Sequence, residues 1–186
     1  MNQLRIIAGK WRGKKIQFID QEDLRPTPDR VRETLFNWLQ QDIVNAHCLD
    51  LFAGSGILGI EALSRGAKFV TSVEMSREAL ICIRENLESL IEIPLRTIQA
   101  NALDYLQNNS PEYPMEVVFL DPPFSDNQLL QDACQYLEKN NWLAGDAKIY
   151  LESGTNLEEL NLPDSWSLIK SKKAGQVYYG LCQRNK

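Results

Sequence analysis

The chain has one histidine, four scattered cysteines and no long apolar run, and each shortage removes a class of function. A lone His47 cannot build a histidine-based triad or a zinc cluster, so it reads as a strand-edge residue, and no metal is expected. Cys48, Cys82, Cys134 and Cys182 lie far apart in apolar segments, which fits core thiols in a reducing cytoplasm better than disulfides or metal ligands. No stretch approaches the ~20 apolar residues of a membrane span, and Met1-Asn2-Gln3-Leu4-Arg5 lacks the apolar core of a secretion signal, so a cytoplasmic protein without a membrane partner is expected. Internal repeats and low-complexity linkers are missing too. The 186 residues, 44% hydrophobic, suffice for one compact domain with a small appendage.

Net charge is −5, which by itself argues against a nucleic-acid partner. Its distribution argues the other way. Ten of the 20 basic residues sit at the two ends, among them Arg5, Lys10, Arg12, Lys14 and Lys15, then Lys170, Lys172 and Lys173, with no acid between them. These are either solvated termini or, where the ends meet, a basic face suited to phosphates.

What is present is organised around residues 48–66, CLDLFAGSGILGIEALSRG. Residues 48–52 read as a buried parallel strand, and helical spacing takes over after Gly59 through Ile60 and Leu63 to a stop at Gly66. In the turn Ala53-Gly54-Ser55-Gly56 the glycines tolerate positive φ and close approach of a ligand, while the unpaired amides of the first helical turn point above the strand end. Glu74 stands twenty positions beyond Gly54 at the end of a β-branched strand, where nucleotide folds keep a ribose acid. Nicotinamide and adenosyl cofactors satisfy this GxGxxG pattern equally. Asn101, followed by Ala102, is a candidate for the adenine edge with Asp104 as its neighbour, unless either serves only to start a helix.

Around this stretch the chain alternates strand and helix. Residues 4–18 read as a β-hairpin carrying the first basic cluster, with Trp11 near its tip either packing on the domain or stacking on a base. In Leu24-Arg25-Pro26-Thr27-Pro28-Asp29-Arg30-Val31-Arg32-Glu33, Thr27 is placed to cap a helix starting at Pro28, running to about Gln41 and burying Val31, Leu35, Trp38 and Leu39. Arg25, Arg30 and Arg32 are either solvated or fixed on a phosphate or carboxylate. Ser76 caps a further helix, and a closing hairpin is joined by a basic turn over residues 170–175. Five strand–helix alternations predict a parallel sheet covered on both faces, with an antiparallel edge and a ligand site beyond the carboxyl ends of the strands.

Asp121-Pro122-Pro123-Phe124 follows a nearly unbroken apolar strand and separates the cofactor classes. Two consecutive prolines donate no backbone hydrogen bonds, so the loop offers carbonyls and one carboxylate, all acceptors, beside an aromatic ring. Such a pocket suits an exocyclic amine that gives both hydrogens to hydrogen bonds and frees its lone pair for a methyl on a sulfonium. Phe124 is placed to stack on a base extruded from its helix. Asp121 is expected to orient the amine at an ordinary carboxylate pKa and to take its proton late.

These loops resemble the Rossmann-like adenosylmethionine-dependent methyltransferases, and more narrowly the bacterial RsmD family. RIIAGKWRGKKI (residues 5–16), LRPTPDRVRETLFNWL (24–39), DLFAGSGILGIEALSRGA (50–67), DPPF (121–124) and GQVYYGL (175–181) occur in that family in the same order. The resemblance implies an α/β class I methyltransferase fold: a seven-stranded mixed sheet with helices on both faces, and an N-terminal β-hairpin over residues 1–22 joined to a catalytic domain over 23–186. It implies S-adenosyl-L-methionine held by Asp50, Phe52, Gly54, Ser55, Gly56, Glu74, Asn101 and Ala102, with Asp121, Pro122, Pro123 and Phe124 at the exocyclic amine of one guanine in 16S ribosomal RNA. Related enzymes often carry Asp where Asn101 stands. The hairpin basics with Arg25, Arg30 and Arg32 would contact RNA or close over the cofactor. A monomer acting on a 30S assembly intermediate is expected, since a small acidic protein with basic patches has few groups for reading naked RNA. The rivals are an adenine-specific DNA amino-methyltransferase, a nicotinamide oxidoreductase and a noncatalytic RNA-binding factor.

Overall fold

The alternating pattern builds, in the computed structural model, a seven-stranded sheet of order β5-β4-β3-β6-β7-β9-β8 and a separate two-stranded hairpin, β1-β2. The structure describes residues 2–19, 26–90, 94–123 and 126–186, so Arg25, Phe124 and the expected boundary between residues 22 and 23 lie outside the described residues. The elements are β1 (Asn2–Arg5), β2 (Lys15–Phe18), α1 (Asp29–Trp38), β3 (His47–Asp50), α2 (Ile57–Ser64), β4 (Phe69–Glu74), α3 (Arg77–Glu88) and β5 (Leu95–Gln99). There follow α4 (Ala102–Asn108), β6 (Met115–Leu120), α5 (Asn127–Lys139), β7 (Leu143–Ser153), β8 (Trp166–Ala174) and β9 (Val177–Arg184).

The five strands from β5 to β7 are parallel, and β9 runs antiparallel between β7 and β8, so that β8 points the same way as the first five. Because β3 pairs with β4 on one side and β6 on the other, strand order reverses there, and a crevice opens beyond the ends of β3 and β6. Period-two alternation sends Val117 and Phe119 to a core under α1 and α2, and Val118 and Leu120 to a second core under α4 and α5. All four cysteines are buried free thiols, and no helix among the described residues is long and apolar enough to cross a membrane.

The N-terminal hairpin shares the first core through Ile6, Trp11 and Ile16. Gly9 adopts φ +82°, and a Cβ there would collide with the Ser64 carbonyl, so the backbone of the hairpin lies directly on the end of α2. Lys10 N donates to Ser64 O at 2.7 Å, and Trp11 N to Ser64 Oγ at 3.0 Å. Trp11 therefore packs on the domain and is no stacking platform, whereas Arg5, Lys10, Arg12, Lys14 and Lys15 are all exposed.

Three local expectations change. The helix after Pro28 begins at Asp29 and ends at Trp38, Pro28 takes the cap position without a side-chain cap, and Thr27 turns its hydroxyl elsewhere. Trp38 is only half-buried and stacks on Tyr179, ring centroids 5.6 Å apart, while Phe36 goes inside instead. The basic stretch expected as a turn is strand: β8 runs to Ala174, which lies opposite Val177, leaving a two-residue turn with Gly175 at φ +61°.

Arg32, expected at RNA, is fully buried. Its guanidinium donates to Thr27 O (3.2 Å), Arg5 O (3.0 Å) and Glu61 Oε1 (2.9 Å), and it also pairs with Asp29. Its planar fork of donors suits four acceptors at once, which makes it a bracket between α1, α2 and the hairpin and removes it from any RNA surface. The two basic ends flank α1, which reaches Arg5 through Arg32 and Tyr179 through Trp38.

Candidate active site

Beyond β3 the chain reverses through Gly54 (φ +52°) and Gly56 (φ +74°) into α2. Gly56 N closes the turn on Ala53 O at 2.7 Å, and a Cβ on Gly56 would sit 2.9 Å from Ile83 Cγ1 of α3. The amides expected to face a ligand are already engaged. Gly54 N donates to Glu74 Oε2 at 2.8 Å, Gly59 N to Asp50 Oδ2 at 3.2 Å, and Ile57 N to Ser55 Oγ at 3.4 Å. Glu74 also accepts from Ser76 N at 2.8 Å, tying the loop after β3 to the one after β4. A loop that spends its donors on carboxylates is a poor cradle for a pyrophosphate, which disfavours the nicotinamide reading.

A cavity of about 560 Å³ opens above these loops. Phe52, Gly54, Ser55, Glu74, Asn101 and Ala102 line it, and so do Asp121, Pro122 and Pro123 on the other side, with Pro26 and Thr27. The glycine turn and the proline loop thus share one cavity, formed at the ends of four parallel strands. Two of the predicted cofactor residues are not in its wall. Asp50 is 2% exposed and lies beneath the turn on the α2 side of the sheet, where it holds the Gly59 amide. Burial pushes its carboxyl up to about 7 against the pull of that amide. Gly56 serves the close approach to α3 rather than a ligand.

Asn101 starts its helix, as one of the two readings has it, and also lines the cavity. Its Oδ1 caps α4, accepting from Leu103 N at 2.9 Å and Asp104 N at 3.2 Å, so only its NH2 is left for a ligand. Asp104 does not line the cavity. Of the hydrogen-bonding groups in the wall, Glu74, Glu78 and Asp121 are acidic and Arg77 is basic, a balance that favours a cationic ligand.

The amine end of the cavity holds residues that local pattern did not single out as a site. Thr27 donates to Asp121 Oδ2 at 3.1 Å, which is where its hydroxyl goes instead of capping α1. In the register of β6 with β7, Leu120 lies opposite Leu151, so Asp121 has Glu152 as its neighbour. Glu152 is 2% exposed and accepts from Tyr150 Oη at 2.6 Å. Burial, then the charge of Glu152, holds the Asp121 carboxyl well above its usual range, with Thr27 opposing. The expectation of an ordinary carboxylate is corrected accordingly. The strand ending at Glu152 was legible in the sequence; its pairing with Asp121 was not. Arg30, like the hairpin cations, is exposed.

Among known proteins, the family model described as Conserved hypothetical protein 95 matches residues 4–183. The chain is 48% identical over 182 residues to Ribosomal RNA small subunit methyltransferase D of Escherichia coli (strain K12), covering 98% of this chain and 90% of that one. It is 45% identical over 183 residues to the protein of the same name from Haemophilus influenzae (strain ATCC 51907 / DSM 11121 / KW20 / Rd), covering 97% and 94%. The solved structure of yhhF from Escherichia coli superposes with a TM-score of 0.89 at 46% identity over 99% of both chains.

Proposed function

The chain belongs to the RsmD family, whose model is described as Conserved hypothetical protein 95, and from that premise we propose that it methylates the exocyclic amine of one guanine in 16S ribosomal RNA with S-adenosyl-L-methionine. The observation that carries this reading is the single cavity walled on one side by Gly54 and Glu74 and on the other by Asp121, Pro122 and Pro123.

The donor set fits the cofactor. Glu74 keeps acceptor capacity for ribose hydroxyls beyond its two backbone bonds, the NH2 of Asn101 and the backbone at Ala102 line the same cavity and would hold the adenine edge, and the acidic wall favours a sulfonium. When bound, S-adenosyl-L-methionine supplies an electrophilic methyl at a sulfonium. The chain supplies the rest. The Asp121 carboxylate and the carbonyls of the proline loop accept the two amine hydrogens, and no N–H of Pro122 or Pro123 competes for the lone pair. Asp121 receives the proton that the amine sheds as it is alkylated, and enclosure keeps water from the reacting nitrogen. Since a stacked base cannot reach the proline loop, the guanine enters extruded.

The partner is 16S RNA within a small-subunit assembly particle, met by Arg5, Lys10, Arg12, Lys14, Lys15 and Arg30 on a monomer acting in the cytoplasm, and no metal is needed. Transfer of tritium from labelled cofactor to small-subunit particles, against duplex DNA, tests the reading and its adenine-DNA rival together. A label found only in DNA, or no label with Asp121 intact, overturns it. Replacing Asp121 by Ala is expected to abolish transfer and leave cofactor affinity within about threefold, whereas undiminished transfer would remove Asp121 from the mechanism.

A further inference from the structure

Asp121 and Glu152 leave the carboxyl ends of β6 and β7 side by side, yet only Asp121 lines the cavity. Thr27, 3% exposed, stands between them: its hydroxyl donates to Asp121 Oδ2 at 3.1 Å and also reaches Glu152. A hydroxyl has one hydrogen and two lone pairs, so while it donates to one carboxyl it can accept from the other. Beyond Glu152 the line ends at the buried Tyr150 hydroxyl. Asp121, Thr27, Glu152 and Tyr150 form a polar file, hydrogen-bonded from Thr27 to Asp121 and from Tyr150 to Glu152, that meets the cavity at Asp121. Thr27 is itself held from behind by Arg32, which donates to its carbonyl at 3.2 Å.

We propose that Asp121 and Glu152 share one proton across Thr27, and that Glu152 is a positioning residue which sets the charge that Asp121 presents to the substrate amine. The catalytic consequence rests on the methyl-transfer reading; the shared proton does not. Two adjacent carboxyls, Glu152 buried and Asp121 half-buried at the cavity wall, resist ionising together at neutral pH. Burial lifts both, and the charge of Glu152 lifts Asp121 further. Among the described residues the neighbours offer no compensating cation: Asp50 at the end of β3 adds a further negative charge, Tyr179 lies opposite Glu152 on β9, and Arg32 on α1 is committed to Asp29 and Glu61. Thr27 donates to Asp121 and Tyr150 to Glu152, so each carboxyl has one donor favouring its ionised form and the single charge divides between the two. The amine reacts with the form ionised at Asp121, which the hydrogen bond from Thr27 sustains. As the new N–C bond forms, the methyl–sulfur bond breaks with its electron pair left on sulfur as a neutral thioether; the N–H proton then passes to the Asp121 oxygen, the pair carries two protons and no charge, and the extra proton leaves through the cavity.

The test follows the Asp121 carboxyl by carbon-13 NMR titration of the free protein, in wild type, Glu152→Gln and Thr27→Val, alongside the pH profile of single-turnover methyl transfer. Glu152→Gln removes the repelling charge and is expected to lower the Asp121 midpoint by about one pH unit, moving the acid limb of the rate profile with it. Thr27→Val removes the hydrogen bond that favours the ionised form and is expected to raise both, with Thr27→Ser restoring them. A merely structural role would lower rate or melting temperature without moving the midpoint. If Glu152→Gln does not fold, Tyr150→Phe takes its place: losing the bond to ionised Glu152 strengthens the hold of Glu152 on the proton and lowers the Asp121 midpoint. One unchanged midpoint across the folded variants, or shifts of the same sign for Thr27→Val and Glu152→Gln, overturns the proposal. Failure of wild-type protein to transfer methyl at any pH counts against the methylation reading, and the NMR titration still decides the pair.

Discussion

Replacing Arg32 by Met is expected to destabilise the protein by about 4 kcal/mol. Methionine keeps the apolar stem of the side chain, lacks the guanidinium and leaves its acceptors behind. The carbonyls of Thr27 and Arg5 lose their donor, at about 1 kcal/mol each, and Glu61, fully buried, loses its cation. Breaking a buried ion pair from one side costs about 3–5 kcal/mol, because the survivor stays charged out of water. The contributions overlap, since Ile7 N and Arg65 still reach Glu61, and the pair with Asp29, whose side chain is 66% exposed, adds little. At a urea slope of about 2–3 kcal/mol/M the midpoint falls by roughly 1.5–2 M, with the slope unchanged. The double variant Arg32→Met/Glu61→Gln removes both charges and is expected to recover about 2 kcal/mol, since Gln still accepts from Ile7. A single variant within 1 kcal/mol of wild type, or a double variant worse than the single, refutes the bracket. Below its melting temperature Arg32→Met should still bind RNA with an unchanged salt dependence, because Arg32 touches no phosphate, while transfer falls as Thr27 loses its anchor.

Asp50 predicts a pH dependence of stability. Its carboxyl rises from 3.8 to about 7 on folding, so the stability it contributes is full below pH 3.8 and is lost as pH rises through 7. Asp121 and Glu152 act in the same direction. Asp50→Asn, whose amide oxygen still accepts from Gly59, should lose less melting temperature between pH 5 and pH 8 than wild type, and equal losses by calorimetry would exclude this role. Gly56→Ala forces a Cβ into a positive-φ position against Ile83 and should cost about 1–3 kcal/mol in urea unfolding. Glu74→Ala frees the Gly54 and Ser76 amides and removes the ribose acceptor, so calorimetric affinity for S-adenosylmethionine should fall at least about tenfold, a loss that Asp121→Ala should not reproduce. Removing the charges of Lys10, Arg12, Lys14 and Lys15 should leave the melting temperature near wild type and flatten the salt dependence of RNA binding by about one unit for each phosphate no longer neutralised.

The sequence by itself determined which stretches are strand and which are helix, and some of their ends. Strands over residues 95–99 and 115–120, Ser76 as a cap, and a sharp turn with positive φ at Gly54 and Gly56 follow from periodicity and from the conformations that glycine permits, and both are properties of neighbours in the chain. Because a parallel sheet gathers its strand ends on one rim, the order of the elements was enough to place Gly54, Glu74, Asn101 and Asp121 around one crevice. Which way each group faces was decided by tertiary structure alone. Arg32 sits among cations in sequence but among acceptors in space, Asp50 ends its strand facing α2 rather than the crevice, and Thr27 abandons its own helix for a carboxylate 94 residues away. Glu152 became part of the site only when β7 took its register against β6. Such choices turn on the pairing of distant strands and on the cost of leaving a buried charge or donor unmatched, and neither quantity is written in any local stretch of the chain.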